Sequence, residues 1–269
     1  MIAPRERRRL ARRAVRRRPL TEPPFAVLLA AACVAAAAVG FLKTSIGGGI
    51  GLVLAPTLTL VLPAPVVLAL LAPLMNLADP VSLRYYWGRW DGRQLRVLIP
   101  ATVAGIVVGA WLLALLSETG IKRAIGGVAL AFALVQLAAS GRDRPLLGAS
   151  PHWSIGAVTG LVAGASSSVA HLGGSVLWLY LLATGATPAV MVGTSVALIA
   201  VSNLVKLLAY WRIGFLTWDI LLVSLLASPL LVAGGWLGYR VNRRLPRRAF
   251  ELVVVAIAIA GSLRLLLGS

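Results

Sequence analysis

An all-α membrane protein that crosses the bilayer many times is the fold this sequence predicts, and three observations carry it. Hydrophobic residues make up 59% of the 269-residue chain and charged residues only 13%, where a soluble domain carries roughly 25% charged. The apolar residues fall into long runs, several of them near the ~20 residues a helix needs to span a bilayer. The runs also come twice in the same order of long and short, which predicts two pseudo-symmetric repeats.

The first series of runs occupies residues 25–42, 50–62, 66–85, 97–116 and 124–138. The second occupies 155–165, 169–183, 189–210, 220–239 and 249–267. Between them lies the polar stretch Ser140-Gly-Arg-Asp-Arg-Pro145. The organisation expected is an arginine-rich tail over 1–24, a first transmembrane repeat over 25–139, a linker over 140–154 and a second repeat over 155–269. About eight full passes are expected, with the shorter runs forming broken or re-entrant segments.

The internal match reaches single residues. Tyr86-Trp87 precedes a loop ending Trp90-Asp91, as Tyr210-Trp211 precedes one ending Trp218-Asp219. Asp79 falls opposite Asn203 in this register. Pro100, Gly105 and Gly109 correspond to Pro229, Gly234 and Gly238 at one constant offset. The paired glycines suit close packing of helices through small residues.

A formal net charge of +18 invites a nucleic-acid reading, but its location argues against one. Nine arginines lie between Arg5 and Arg18, directly ahead of the first apolar run. Basic residues beside a first span place the N-terminus in the cytoplasm of an inner (plasma) membrane protein, where anionic headgroups attract them. The tail and the next residues also have the outline of a signal peptide. Gly40 opens a glycine-rich segment directly after them, so an uncleaved first span is expected. Arg240, Arg243, Arg244, Arg247 and Arg248 form a second basic loop, expected on the same face as the tail and so an even number of crossings away.

Two segments interrupt the apolar pattern. The first is Gly40-Phe-Leu-Lys43-Thr-Ser45-Ile-Gly47-Gly-Gly49-Ile-Gly51, and the second runs from Gly160 through Ser166-Ser-Ser168 and His171 to Gly173-Gly174. Glycines at this density break a helix at membrane depth, which is tolerated only where protein or a polar cavity receives the freed backbone. A duplicated break is a pointer to the binding site of a secondary transporter.

Polar side chains in the apolar runs supply the candidate site. Lys43 reads either as a snorkelling residue at a helix end or as a counter-charge for an anion beside the bare N–H groups of Gly47, Gly49 and Gly51. Asp79 is the carboxylate set well inside an apolar run. It reads as a partner of Arg84, as a hydrogen-bonding group beside Pro80, or as a coupling-ion site. Asn203 and Lys206 lie one turn apart on one helix face, with the hydroxyls of Thr194 and Ser195 two turns before. His171 offers packing, substrate contact or proton relay. Ser-x-x-His has no nucleophile elbow or placed carboxylate, so no catalytic residues are expected. One cysteine, Cys33, and two histidines leave no raw material for a disulfide or clustered metal ligands.

With these motifs, the chain resembles the TauE/SafE family of sulfite exporters and organosulfonate permeases. The pattern is Gly40, the glycines 47, 49 and 51, and Pro56, then Gly160, Gly173-Gly174 and the helix bearing Asn203. The departure is Ser166-Ser-Ser168, where the family more often has glycines. The resemblance implies a secondary transporter, permease or exporter, of sulfite, thiosulfate, organosulfonates or related organic acids. An anion channel and an intramembrane enzyme or assembly factor using His171 with Ser168 or Asp79 are the alternatives. Substrate contacts are expected from Lys43, Ser45, Gly47, Gly49, Gly51, Ser167, His171, Gly173, Gly174, Asn203 and Lys206, with Asp79 the coupling-ion candidate. Expected partners are a small anionic substrate, membrane lipid and a second copy in a homodimer; nucleic acid, metal and cofactors are not expected.

Overall fold

The computed structural model describes residues 23–45, 50–139, 151–242 and 247–268. The arginine tail and most of the 140–154 linker lie outside them. All regular structure among the described residues is helical. The helices are α1 (Phe25–Ser45), α2 (Ile50–Thr59), α3 (Ala64–Tyr85), α4 (Gly92–Leu115), α5 (Glu118–Ala139), α6 (Trp153–Ala170), α7 (Gly173–Ala183), α8 (Pro188–Ile213), α9 (Trp218–Leu226), α10 (Ser228–Asn242) and α11 (Arg247–Leu267). Six of these, α1, α3, α4, α5, α6 and α8, are long and apolar enough to cross a membrane. The count becomes seven when α9 and α10 are taken as one span bent by 48°. Pro229, near the start of α10, supplies no N–H to bond back across that junction, which accounts for the bend.

Local chemistry sets the helix ends. Asp91 caps α4, its Oδ1 accepting the N–H of Arg93 at 2.9 Å and of Gln94 at 3.1 Å. Pro188 opens α8, and Gly214 closes it in the left-handed region (φ 80°) that lacks a steric cost only for glycine. The second break is shorter than the apolar pattern implies: α6 runs on through the three serines to Ala170. Serine is tolerated there because its hydroxyl can bond a carbonyl. Ser166 Oγ donates to Ala163 O (3.2 Å) and Ser168 Oγ to Ile106 O on α4 (3.1 Å).

Helix α3 is the axis of the bundle. Two-thirds of its apolar window (67%) is buried within the protein, against 28% for α5, and a helix apolar all round belongs in a core. It contains Pro73 and Pro80; the amide of Asn76 donates to Ala72 O (2.9 Å) beside Pro73. Around it, α8 and α9 pack on α3, and the closest helix pairs are α4 with α6 and α1 with α10. Both close pairs depend on missing side chains. A Cβ on Gly164 would collide with the carbonyl of Thr102, and one on Gly40 with that of Leu231. Conversely, Gly105 lies against Leu161 O and Gly234 against Ala37 O. Where the chain leaves α3 and α8, Trp87–Trp90 and Trp211–Trp218 form edge-to-face pairs at 5.3 and 5.1 Å. Trp87, Trp211 and Trp218 are exposed, as interfacial tryptophans are. Tyr210, the residue before Trp211, is fully buried.

These contacts set an expected contrast. Gly164→Val should prevent recovery of monodisperse protein in detergent, since backbone of α4 cannot yield to the added atoms. Gly127→Ala, where a Cβ meets nothing within 4 Å, should raise the melting temperature slightly, by about 0.5–1 kcal/mol of helix propensity. Size-exclusion chromatography and thermal melting of the two variants check both outcomes.

Candidate anion site

Lys43, in the last turn of α1, extends its ammonium to Asp79 Oδ1 on α3 at 2.6 Å. The other carboxylate oxygen accepts from Asn203 Nδ2 on α8 at 2.7 Å. Three helices are thereby joined through one buried carboxylate. Arg84 is not its partner: five positions along a helix put it well round from Asp79, on an exposed turn. Nor does Lys43 snorkel free. Its side chain is only 18% exposed, and its charge is met by Asp79.

The second cluster centres on the α6–α7 break. His171 adopts a left-handed backbone (φ 57°), its N–H bonding Ser167 O while Leu172 N–H bonds Ser166 O. This closure is normally made by glycine, so a histidine held there carries steric strain of the kind that collects at functional sites. Its ring bridges two neighbours: Nε2 lies 3.1 Å from Leu68 O on α3, and Nδ1 lies 2.9 Å from Lys206 Nζ on α8. A carbonyl only accepts, so Nε2 carries the proton and the ring donates it to Leu68. Nδ1 is then the acceptor for the Lys206 ammonium, and the imidazole is neutral. Tyr210 meets His171 edge-on at 6.2 Å and donates its hydroxyl to Ser168 O at 2.6 Å. Lys206 is 1% exposed, yet among the described residues no carboxylate lies within ion-pair distance of it. A buried ammonium with only neutral partners is costly and points to function.

A small cavity of ≈ 70 Å³ joins these clusters. Of the residues expected to contact substrate, Lys43, Ser167, His171, Gly173, Gly174, Asn203 and Lys206 line it. Gly173 and Gly174 begin α7, so their N–H groups belong to the unpaired first turn of a helix, where anions bind. Asp79 stands behind Lys43 and Asn203. Gly51 lies beside the cavity instead of in its wall; at the start of α2 it is pressed against the backbone of Ala170 and His171. The side chain of Ser45, and Gly47 and Gly49, lie outside what is described. Thr194, read as a hydroxyl near the site, instead accepts the N–H of Asp91 at 2.9 Å and fastens the α3–α4 loop to α8.

Sequence reasoning missed Thr102, Ser202 and the buried role of Tyr210. Thr102 and Ser202 also line the cavity, with Met75, Leu177, Leu198 and Ile199 as apolar wall. Ser202 was legible, one turn from Lys206 on the same face. Thr102 was not, since nothing in the α4 run marks it; its buried Oγ1 has no hydrogen-bond partner among the described residues.

An all-helical bundle of six or seven candidate spans, with a small cavity whose largely apolar wall holds buried polar side chains, defines the class of a multi-pass membrane protein. Residues 32–265 match the family described as Sulfite exporter TauE/SafE, and the chain belongs to that family. It is therefore a multi-pass membrane transporter of a family that handles sulfite and related sulfur anions, and not an enzyme. Comparison with curated proteins and with solved structures found no match.

The Lys43–Asp79 pair is testable by a double-mutant cycle. Lys43→Gln and Asp79→Asn should each destabilise the protein, because each leaves one charge in an apolar layer. The double variant should recover part of the loss, with a coupling of about 1–3 kcal/mol, below the roughly 3–5 kcal/mol lost on breaking a fully buried pair. Denaturation midpoints in one detergent measure the coupling.

Proposed function

We propose that the protein is a secondary transporter that carries small sulfur oxyanions, organosulfonates or related organic acids by alternating access, with the cavity at Lys206 as its substrate site. The observation that carries this reading is the Lys206 ammonium, buried in the same cavity wall as Gly173 and Gly174 of the first turn of α7 and with no carboxylate within ion-pair distance among the described residues. A small oxyanion completes that arrangement: it accepts from the ammonium and from the helix N-terminus together. The leading role expected of Lys43 from the sequence passes to Lys206, because Asp79 meets the charge of Lys43.

Residues 25–139 and 155–269 are read as two halves related by a pseudo-two-fold axis. With the bent α9–α10 pair counted as one element, the helix order long, short, long, long, long recurs in each half and supports this. So does the reciprocal packing, in which the first helix of each half meets the fourth of the other (α1 with α10, α6 with α4). Counting α11 as a span with the bent α9–α10 pair gives eight passes, four per half, with α2 and α7 as the short arms. Four per half makes the repeats parallel, with the axis along the membrane normal. It also places the arginine tail and the Arg240–Arg248 loop on opposite faces, so the even number of crossings expected between them does not hold in this reading. We place the tail on the cytoplasmic side, its nine arginines being the stronger signal. Asp79 is the coupling-ion candidate, because a proton on its carboxyl frees Lys43.

Counterflow of labelled sulfite in proteoliposomes tests the site. Lys206→Met should lower exchange far more than Ser167→Ala, because a charge-assisted hydrogen bond is worth about 1.5–3 kcal/mol and a neutral one about 0.5–1.5. Gly174→Val should fold, since its Cβ meets only the movable end of Ile199 at 3.2 Å, yet should fail to transport. Exchange at the wild-type rate in both variants would remove the cavity as the substrate site. In a separate assay, Asp79→Asn should abolish the stimulation of uptake by an imposed pH gradient; persistence of that stimulation would rule out Asp79 as the coupling site.

A further inference from the structure

The charge inventory of the cavity goes further than its identity as an anion site. The charged groups at its wall, among the described residues, are the ammoniums of Lys43 and Lys206, and directly behind Lys43 lies the carboxylate of Asp79 bound to it. His171 is neutral by its hydrogen bonds: it donates to Leu68 O and accepts from Lys206. With both lysines protonated and Asp79 ionised, two cations and one anion leave a single surplus positive charge. The remaining polar contacts are neutral, namely the hydroxyls of Ser167, Ser202 and Thr102, the Asn203 amide and the first N–H groups of α7. Thr102 is 2% exposed and its Oγ1 has no hydrogen-bond partner among the described residues. The rest of the wall, Met75, Leu177 and Leu198 among it, is apolar.

We infer that the transported species is a monoanion, and that the site discriminates against dianions of the same shape. This rests on the proposed reading of the cavity as the substrate site, and narrows it to a charge class. A monoanionic sulfonate or hydrogen-bearing oxyanion cancels the surplus charge of Lys206. Its other oxygens are met by Thr102, Ser167 and the α7 N–H groups without further charge. A dianion leaves one negative charge uncompensated in an apolar enclosure beside the Asp79 carboxylate, and both burial and like-charge repulsion oppose it. Discrimination thus comes from the repulsive element as much as from the attractive one. Asp79 is here a specificity-determining residue that does not touch the substrate.

Methanesulfonate and sulfate separate the cases, because they are tetrahedral ions of nearly equal size that differ by one charge. Apparent affinities for each are read from ligand-dependent thermal stabilisation of the purified full chain at neutral pH and constant ionic strength, and from inhibition of sulfite counterflow. Methanesulfonate should bind at least about tenfold more tightly than sulfate. Asp79→Asn, which raises the surplus to two positive charges, should shift the preference toward sulfate. Lys43→Gln/Asp79→Asn, which removes the pair and restores a surplus of one, should return the preference to methanesulfonate; it also serves where the single variant fails to fold. Equal affinity for the two ions in the wild type, with counterflow intact, overturns the monoanion inference and leaves the transport reading standing. An unchanged preference in folded Asp79→Asn overturns it equally. Absence of binding and counterflow with every anion overturns the transport reading itself, and the inference with it.

Discussion

A lysine ammonium enclosed by apolar helices has to be neutralised, solvated by protein, or supplied with an anion, and the environment of Lys206 supplies the second of these only in part. One neutral imidazole accepts from it, leaving two of its three donors without an acceptor among the described residues. Around this one group the middle of the structure is arranged. The α6–α7 break brings His171 to it, α3 steadies the ring through Leu68 O, and Tyr210, one turn along α8, anchors the end of α6 through Ser168 O. His171 occupies a backbone conformation that disfavours any side chain, so its position is held by these surroundings and not by local preference. Removing the break would withdraw both the imidazole and the open helix N-terminus in one step.

The Lys43–Asp79–Asn203 bridge is the complementary constraint. It connects the end of α1, the buried axis α3, and the helix that carries Lys206. Asn203 and Lys206 lie one turn apart on α8, so displacement of that helix against α3 alters the Asp79 bridge and the Lys206–His171 contact together. Electrostatics at the cavity and the relative position of α3 and α8 are therefore mechanically linked. Glycines at the α4–α6 and α1–α10 contacts have a different consequence. Backbones in van der Waals contact have no side chains to rearrange, so each of these pairs behaves as a stiff unit.

Class, helix content and the residues that gather at the candidate site were legible in the sequence, because each depends on local composition. Long apolar runs form helices wherever lipid denies the backbone other partners. Clustered glycines mark the breaks whatever surrounds them, and the Asp79/Asn203 and Gly105/Gly234 correspondences need only a register. Lys43, Asn203, Lys206 and His171 could be selected because ionisable and amide groups are expensive in apolar runs. What tertiary structure alone decided was the pairing. Asp79 could reach Arg84 or Lys43 so far as sequence says; helix phase turns it from the first, and packing of α1 on α3 brings it the second. That choice moved the uncompensated cation from Lys43 to Lys206 and exposed a role for Thr102, an ordinary threonine until α4 was placed against α6. It also kept Ser166, Ser167 and Ser168 helical, since the carbonyl of Ile106 that accepts from Ser168 belongs to another helix. A charge carries its own cost in the sequence, but the partner that offsets it lies across a distance that only the folded chain defines.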